Sequence, residues 1–188
     1  MDFRELLNVR RSIRDFEAKD VPLPLIKEII ADGCEAPSGS NRQPWTFIVI
    51  TNKDIMKRCS DESKKNLLLE IDFNPTSALA GYKPTLQDPQ FDVFYNAPCL
   101  IYIAGSRDVH TATVDCTLAA SYLMLSAADR GLGTCWVNLG SVIKDQALLR
   151  EIGLPDEYAI VATIILGYPV KIPGKTPRDK PKILKIMQ

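Results

Sequence analysis

With one histidine, His110, and no Cys-x-x-Cys pair, this 188-residue chain lacks the closely spaced ligands from which structural zinc sites are built. Its five cysteines, Cys34, Cys59, Cys99, Cys116 and Cys135, are odd in number and widely separated, which argues against a disulfide scaffold. Most are expected to be small buried hydrophobes in a reducing cytoplasm. Net charge is also missing: 23 basic residues balance 23 acidic ones, so no global field recruits nucleic acid or an anionic membrane. Either would need a local patch, and only Arg10 to Arg14 and the tail Lys171 to Lys185 offer one. No apolar run approaches the roughly 18 residues of a membrane span. The amino terminus shows no charged-then-apolar signal pattern, and no repeat or low-complexity tract occurs. What remains is the profile of one domain, 1–188, with 46% hydrophobic and 24% charged residues and length enough for a sizeable core.

Hydrophobic periodicity predicts a short first helix capped by Asp2, a helix over Leu23 to Cys34 entered through Pro22, and a helix from about Lys53 to Leu69 capped by Asn52. Further helices are expected at Thr113 to Arg130 and at Val142 to Ile152, the latter ended by Gly153. Strands are expected at Phe47 to Ile50, Pro98 to Ala104, Leu132 to Val137 and Ala159 to Leu166. The helix over Thr113 to Arg130 is apolar nearly all round, so it must be covered on every side, by its own domain or by another chain. The last twenty residues hold Pro169, Pro173, Pro177 and Pro181 and are expected to be extended. Between 70 and 96, Pro75, Gly81, Pro84 and Pro89 interrupt any regular pattern, while Phe73, Tyr82, Phe91, Phe94 and Tyr95 interleave with them. Those aromatics favour a lid or pocket wall, with a disordered surface excursion as the alternative.

Two polar segments stand apart from this framework. Arg10-Arg11-Ser12-Ile13-Arg14-Asp15-Phe16 concentrates three arginines and a serine, a cationic fork suited to an anion. Ala36-Pro37-Ser38-Gly39-Ser40-Asn41-Arg42-Gln43-Pro44-Trp45 is a loop of short donors and acceptors held between prolines and running into an apolar strand. In this order and spacing the pair resembles the opening motifs of the nitroreductase family of FMN-dependent flavoproteins. Gly131-Leu132-Gly133-Thr134-Cys135-Trp136-Val137 is similar to the family's Gly-Leu-Gly-Thr/Ser-x-Trp strand, and Leu166-Gly167-Tyr168-Pro169 with Pro177-Arg178 to its closing motif. Asn138 departs from the glycine that family members often carry, and residues 67 to 96 match no family element.

The resemblance implies an α+β fold with a mixed sheet flanked by helices, an intertwined homodimer with the Thr113 to Arg130 helix at its interface, and FMN in the crevice between subunits. It assigns Arg10 and Ser12, with Arg178 returning from the tail, to the FMN phosphate, with Arg11 beside them among the cofactor-binding residues. Arg14 is assigned to the pyrimidine edge of the ring. Pro37, Ser38, Ser40 and Asn41 are assigned to the cofactor of the second subunit, and Gly131, Gly133, Thr134 and Cys135 to the ring. The implied activity is transfer of hydride from NAD(P)H to FMN and of electrons onward to a nitroaromatic, quinone or related small-molecule acceptor, with no side chain catalytic in the strict sense. Dehalogenation, dehydrogenation and flavin fragmentation share the same fold resemblance, and a flavin carrier or a plain structural protein are the readings from other classes. Trp45 and Trp136 are expected in the core, and Cys135 as a packing cysteine whose only candidate base, His110, is distant in sequence.

Overall fold

The computed structural model describes residues 1–188. Asp2 starts the first helix, α1 (Phe3–Val9), through a capping box with Glu5. Helix α2 (Leu23–Cys34) follows with proline in its first turn, where the missing N–H costs nothing. Strand β1 (Trp45–Ile50) leads into α3 (Lys53–Phe73), whose cap is the Asn52 side chain accepting from Asp54 N and Ile55 N. Then come α4 (Lys83–Gln87), β2 (Cys99–Ser106), α5 (Ala112–Asp129), β3 (Gly133–Trp136), α6 (Gln146–Glu151) and β4 (Tyr158–Gly167). No helix is long and apolar enough to cross a membrane.

The four strands form one sheet in the order β1-β2-β4-β3, and every neighbouring pair is antiparallel. This corrects the expected mixed sheet. The reason lies in the connections: α3 carries the chain away from the end of β1, and the stretch after it brings the chain back to the same end, so that Ile50 faces Leu100. A strand entered from the end its neighbour left runs the other way. The only parallel pairing is an isolated bridge between Ser12 and Thr134.

Strand β2 is buried on both faces, as its unbroken apolar run requires. Alternation sends Leu100, Tyr102 and Ala104 into a core beneath α3, α4 and α6, and Cys99, Ile101 and Ile103 into a second core beneath α2 and α5. On α5, Ala119, Ala120, Leu123 and Ala127 are buried, whereas Val114 and Tyr122 are exposed. One chain therefore covers one side of this helix and leaves the other open.

Two expectations shift. The helix predicted from Val142 begins only at Gln146, because the Asp145 carboxylate accepts from Ala147 N and Leu148 N and so sets the start; Gly153, at φ 81°, follows its end. Residues 70 to 96 are neither structureless nor loose: α3 runs on to Phe73, and Pro84 sits in the first turn of α4, where proline is compatible with a helix. Leu86, Val93 and Phe94 from this stretch are fully buried. The tail after Val170 has no helix or strand and is exposed throughout.

Phe94 packs so closely on the turn after β3 that a Cβ at Gly140 would lie 2.2 Å from its Cε1, and Tyr102 OH also donates to the Gly140 carbonyl at 3.0 Å. Gly140→Ala should therefore destabilise the protein by about 1–3 kcal/mol in urea titrations, while Gly81→Ala, whose Cβ meets nothing within 4 Å, should stay within about 0.5 kcal/mol. Equal stability of the two variants would contradict this packing.

Candidate functional site

The arginine segment is an extended strap laid across the end of the sheet. Ile13 N donates to Thr134 O at 2.9 Å, Glu17 N to Tyr168 O at 2.9 Å, and Val170 N to Asp15 O at 3.2 Å. Such close approach needs glycine underneath: a Cβ at Gly133 would lie 2.6 Å from Ile13 Cγ1. Ile13 is buried, so the alternation of an extended chain turns Ser12 and Arg14 outward.

The three arginines are used differently. Arg11 folds back, its guanidinium donating to the carbonyls of Arg10 and Asn8 at 2.5 Å each, which satisfies backbone acceptors at the end of α1. Its Nε is buried with no partner. Arg10 opens on a cavity of about 500 Å³ that it shares with Arg4, Arg11, Lys175 and Arg178, five cations with no carboxylate in the lining. None of the five is in an ion pair. Lys175 Nζ donates to Asn8 Oδ1 at 2.7 Å and so ties the tail to α1. A narrow groove that shares Arg10 and Arg11 with this cavity also holds Gly131, Gly133 and Thr134, between apolar residues that include Ile13, Leu132 and Ile172. Predicted residues from three separate stretches of sequence thus meet, with Arg178 arriving from the tail and Ser12 bridged to Thr134.

Arg14 faces a different space, an apolar cavity of about 280 Å³ walled by Leu79, Tyr82, Tyr95, Trp136, Val137 and Leu139, with Cys135 and Asn138 at its margin. Trp45 is a core residue as expected, but Trp136 is half-buried and lines this cavity, its Nε1 donating to Asn138 Oδ1 at 2.5 Å. Of the five aromatics in residues 70 to 96, Tyr82 and Tyr95 reach the cavity, Phe94 is core and Phe73 is almost fully exposed. Cys135 is buried, and that burial pushes its thiol up from its ordinary value; the charges of Arg14 and Arg10 and the Ser12 hydroxyl offset this only in part. A thiol so held has little thiolate character and fits packing rather than nucleophilic attack.

The Ala36 to Trp45 loop lies elsewhere. Ser40, Asn41 and Gln43 all take positive φ, at 53°, 53° and 49°. Ser38 Oγ accepts from Gln43 N at 3.0 Å, and Gly39 N donates to Asp115 Oδ1 at 3.1 Å. Pro37, Ser40 and Asn41 are exposed, and with Ser38 they line none of the three spaces around the arginines. Within one chain the structure does not bring this loop to the arginine strap.

Sequence reasoning missed Arg4, Lys175 and Asp115. Arg4, Leu7, Asn8 and Arg11 recur at helical spacing and all line the large cavity, which was a usable signal for Arg4. Asp115, a buried acid in an otherwise apolar helix, was an anomaly that could have marked the loop's anchor.

A candidate NADH dehydrogenase/NAD(P)H nitroreductase of Methanothermobacter thermautotrophicus is 25% identical over 179 residues, covering 93% of this chain and 81% of the relative. Human iodotyrosine deiodinase 1 is 27% identical over 184 residues, 90% of this chain and 62% of the relative. The solved structure of a nitroreductase with bound FMN from Desulfitobacterium hafniense superposes with a TM-score of 0.82 at 24% identity, covering 98% of this chain and 97% of that one, and establishes the likeness of fold. The family model described as Nitroreductase family matches residues 7–168, a stretch that holds both the arginine strap and the glycine-bearing strand on which it lies, and the chain belongs to that family.

Proposed function

We propose that this protein is an FMN-dependent oxidoreductase that draws reducing equivalents from NAD(P)H and passes them to a nitroaromatic, quinone or related small acceptor. The observation that carries this reading is the set of spaces lined by the strap's arginines: a cavity with five unpaired cations, a narrow groove holding Gly131 and Gly133, and an apolar cavity with a single cation. A phosphate calls for the first of these and a planar ring for the last, and the buried, unpartnered Nε of Arg11 leaves a donor unused beside the cationic cavity. When bound, FMN supplies the two-electron chemistry between donor and acceptor.

The chain's own residues then have definable tasks. Arg10 and Arg178, with Ser12, would hold the phosphate through charge-assisted hydrogen bonds. Arg11 keeps the end of α1 fixed, so that Arg10 need not reorganise on binding. Arg14 presents positive charge beside the apolar cavity, where it would stabilise negative charge on a bound ring more than it could in water. Tyr82, Tyr95 and Trp136 offer apolar faces to a flat acceptor and keep water from it. No acid or base among these side chains is needed, since solvent can supply protons.

Pro37, Ser38, Ser40 and Asn41 complete this site only from a second copy of the chain. The separation of their loop from the strap, the open side of α5 and the exposed tail all support a homodimer with two shared sites. Reductive dehalogenation is a second reading, favoured by the likeness to iodotyrosine deiodinase. Iodide release from an iodophenol, set against nitroaromatic reduction in the same preparation, separates the two.

The purified protein is expected to be yellow, to hold about one FMN per chain, and to lose its visible flavin band on reduction with dithionite. A colourless protein that takes up no added FMN would overturn the reading. Arg10→Ala should cost about 1.5–3 kcal/mol of FMN affinity, or about one to two decades in Kd, whereas Arg14→Ala should chiefly lower the flavin potential and slow its reduction. Wild-type affinity and potential in both variants would make the arginines structural. The shared site has its own test. Arg10→Ala and Asn41→Ala proteins, each weak in FMN binding, should regain one intact site per mixed dimer when unfolded and refolded together; no recovery would place the loop and the strap in independent roles.

A further inference from the structure

Arg14 is exposed and donates no hydrogen bond and forms no ion pair within its own chain, but its guanidinium carbon lies 5.7 Å from the centroid of the Tyr95 ring. Tyr95 is held there at a cost. It and Asn96 both take left-handed backbone conformations, at φ 54° and 53°, which non-glycine residues adopt only where the surroundings over-determine them. The surroundings do so. Asp92 accepts from Phe94 N at 3.1 Å and from Asn96 N at 2.9 Å through its two carboxylate oxygens, Tyr95 N donates to Asp92 O, and the Phe94 ring is sunk in the core below.

Behind this turn lies a second device. Lys64 projects from α3 and is only 8% exposed, with no carboxylate partner; its ammonium donates to the carbonyls of Asp88 at 2.6 Å and Phe91 at 2.8 Å. Ser60 Oγ, one turn away, accepts from Val93 N at 3.1 Å. The Phe91 ring, 6.0 Å from Lys64 Nζ, meets the Tyr95 ring edge-on at 5.8 Å and 85°. A continuous run of contacts therefore joins the middle of α3 to Arg14: Lys64, Phe91, Tyr95, Arg14.

We propose that Tyr95 is a positioning residue for Arg14 and that Lys64 is the buried anchor that holds Tyr95 in place. The inference rests on the reading above that Arg14 faces the flavin ring. The effect of a cation on nearby charge falls with distance and with the water around it. An aromatic ring against one face of the guanidinium limits both its swing and its hydration. The contact is made by the ring and not the hydroxyl, for Tyr95 OH has no hydrogen-bond partner, so phenylalanine should serve in its place.

The experiment has an arm without cofactor and an arm with it. In the FMN-free protein, ring-current shifts on the Arg14 δ-methylene protons should persist in Tyr95→Phe, vanish in Tyr95→Leu and shrink in Lys64→Met. In the holoprotein, Tyr95→Leu should lower the flavin potential in the same direction as Arg14→Ala but by less, Tyr95→Phe should leave it unchanged, and Tyr95→Leu added to Arg14→Ala should lower it no further. An unshifted potential in Tyr95→Leu, or full additivity with Arg14→Ala, would overturn the proposal. Should Lys64→Met fail to fold, its partial form Lys64→Gln reports on the anchor, and the tyrosine pair decides the remainder. A wild-type protein that shows the ring-current shift but binds no FMN would sink the flavin reading while leaving the Tyr95 to Arg14 contact standing, which separates the two failures.

Discussion

The site depends on one contact, the seating of Ile13 over Gly133 with its backbone N–H bonded to Thr134 O. Burying an isoleucine contributes about 1.5–3 kcal/mol, and the hydrogen bond adds about 0.5–1.5 kcal/mol. The same contact decides direction as well as stability. With Ile13 inward, Ser12 and Arg14 must point outward, and a slip of one residue would bury Arg14 and expose the isoleucine. Any side chain on Gly133 would displace the strap and with it every charge that the strap carries. The family motif's glycine and its arginines are thus two halves of one steric arrangement.

Around that strap the electrostatics are left unfinished. Five cations line one cavity without a carboxylate among them, and their mutual repulsion is tolerated because the cavity is open to water. Arg11 lowers the tension by giving its guanidinium to backbone carbonyls, where a cation at a helix C-terminus is favoured by the helix dipole. A bound dianion would remove the remainder, so anion binding in this cavity and folding stability would be linked through the same residues.

The strands, the buried helices and the arginine strap were legible in the sequence, because each is written in local patterns: unbroken apolar runs, helical spacing, and a cluster of one charge. The start of α2 and the cap of α3 follow from Pro22 and Asn52 alone. Sheet direction was not legible, since it is set by where the 74–98 excursion returns and not by the strands themselves. The regular structure within the excursion was missed for a related reason. Its prolines break periodicity, while what orders it comes from α3 through Ser60 and Lys64, polar residues that a hydrophobic pattern ignores. Trp136 was misplaced because a tryptophan in an apolar strand gives no sign that the strand's end faces a cavity.

The same logic applies to the Ala36 to Trp45 loop, which a single chain keeps apart from the arginine strap. Three non-glycine residues with positive φ cost on the order of 1–3 kcal/mol each, against which the loop sets only local bonds such as Gln43 N to Ser38 Oγ and Gln43 Nε2 to Asn41 Oδ1. Its ends are held by the buried Ala36 and Trp45, and its middle by the Gly39 N–H to Asp115 Oδ1 bond at the first turn of α5, where a carboxylate is favoured by the helix N-terminus. Asp115 Oδ2 stays buried without a partner. A strained, exposed loop fixed to the N-terminal end of a helix whose far side is open to solvent makes sense if the helix and the loop meet another chain together. In such an assembly the strain would be tolerated for the shape the loop presents, and α5 would tie the loop's position to the contact between chains.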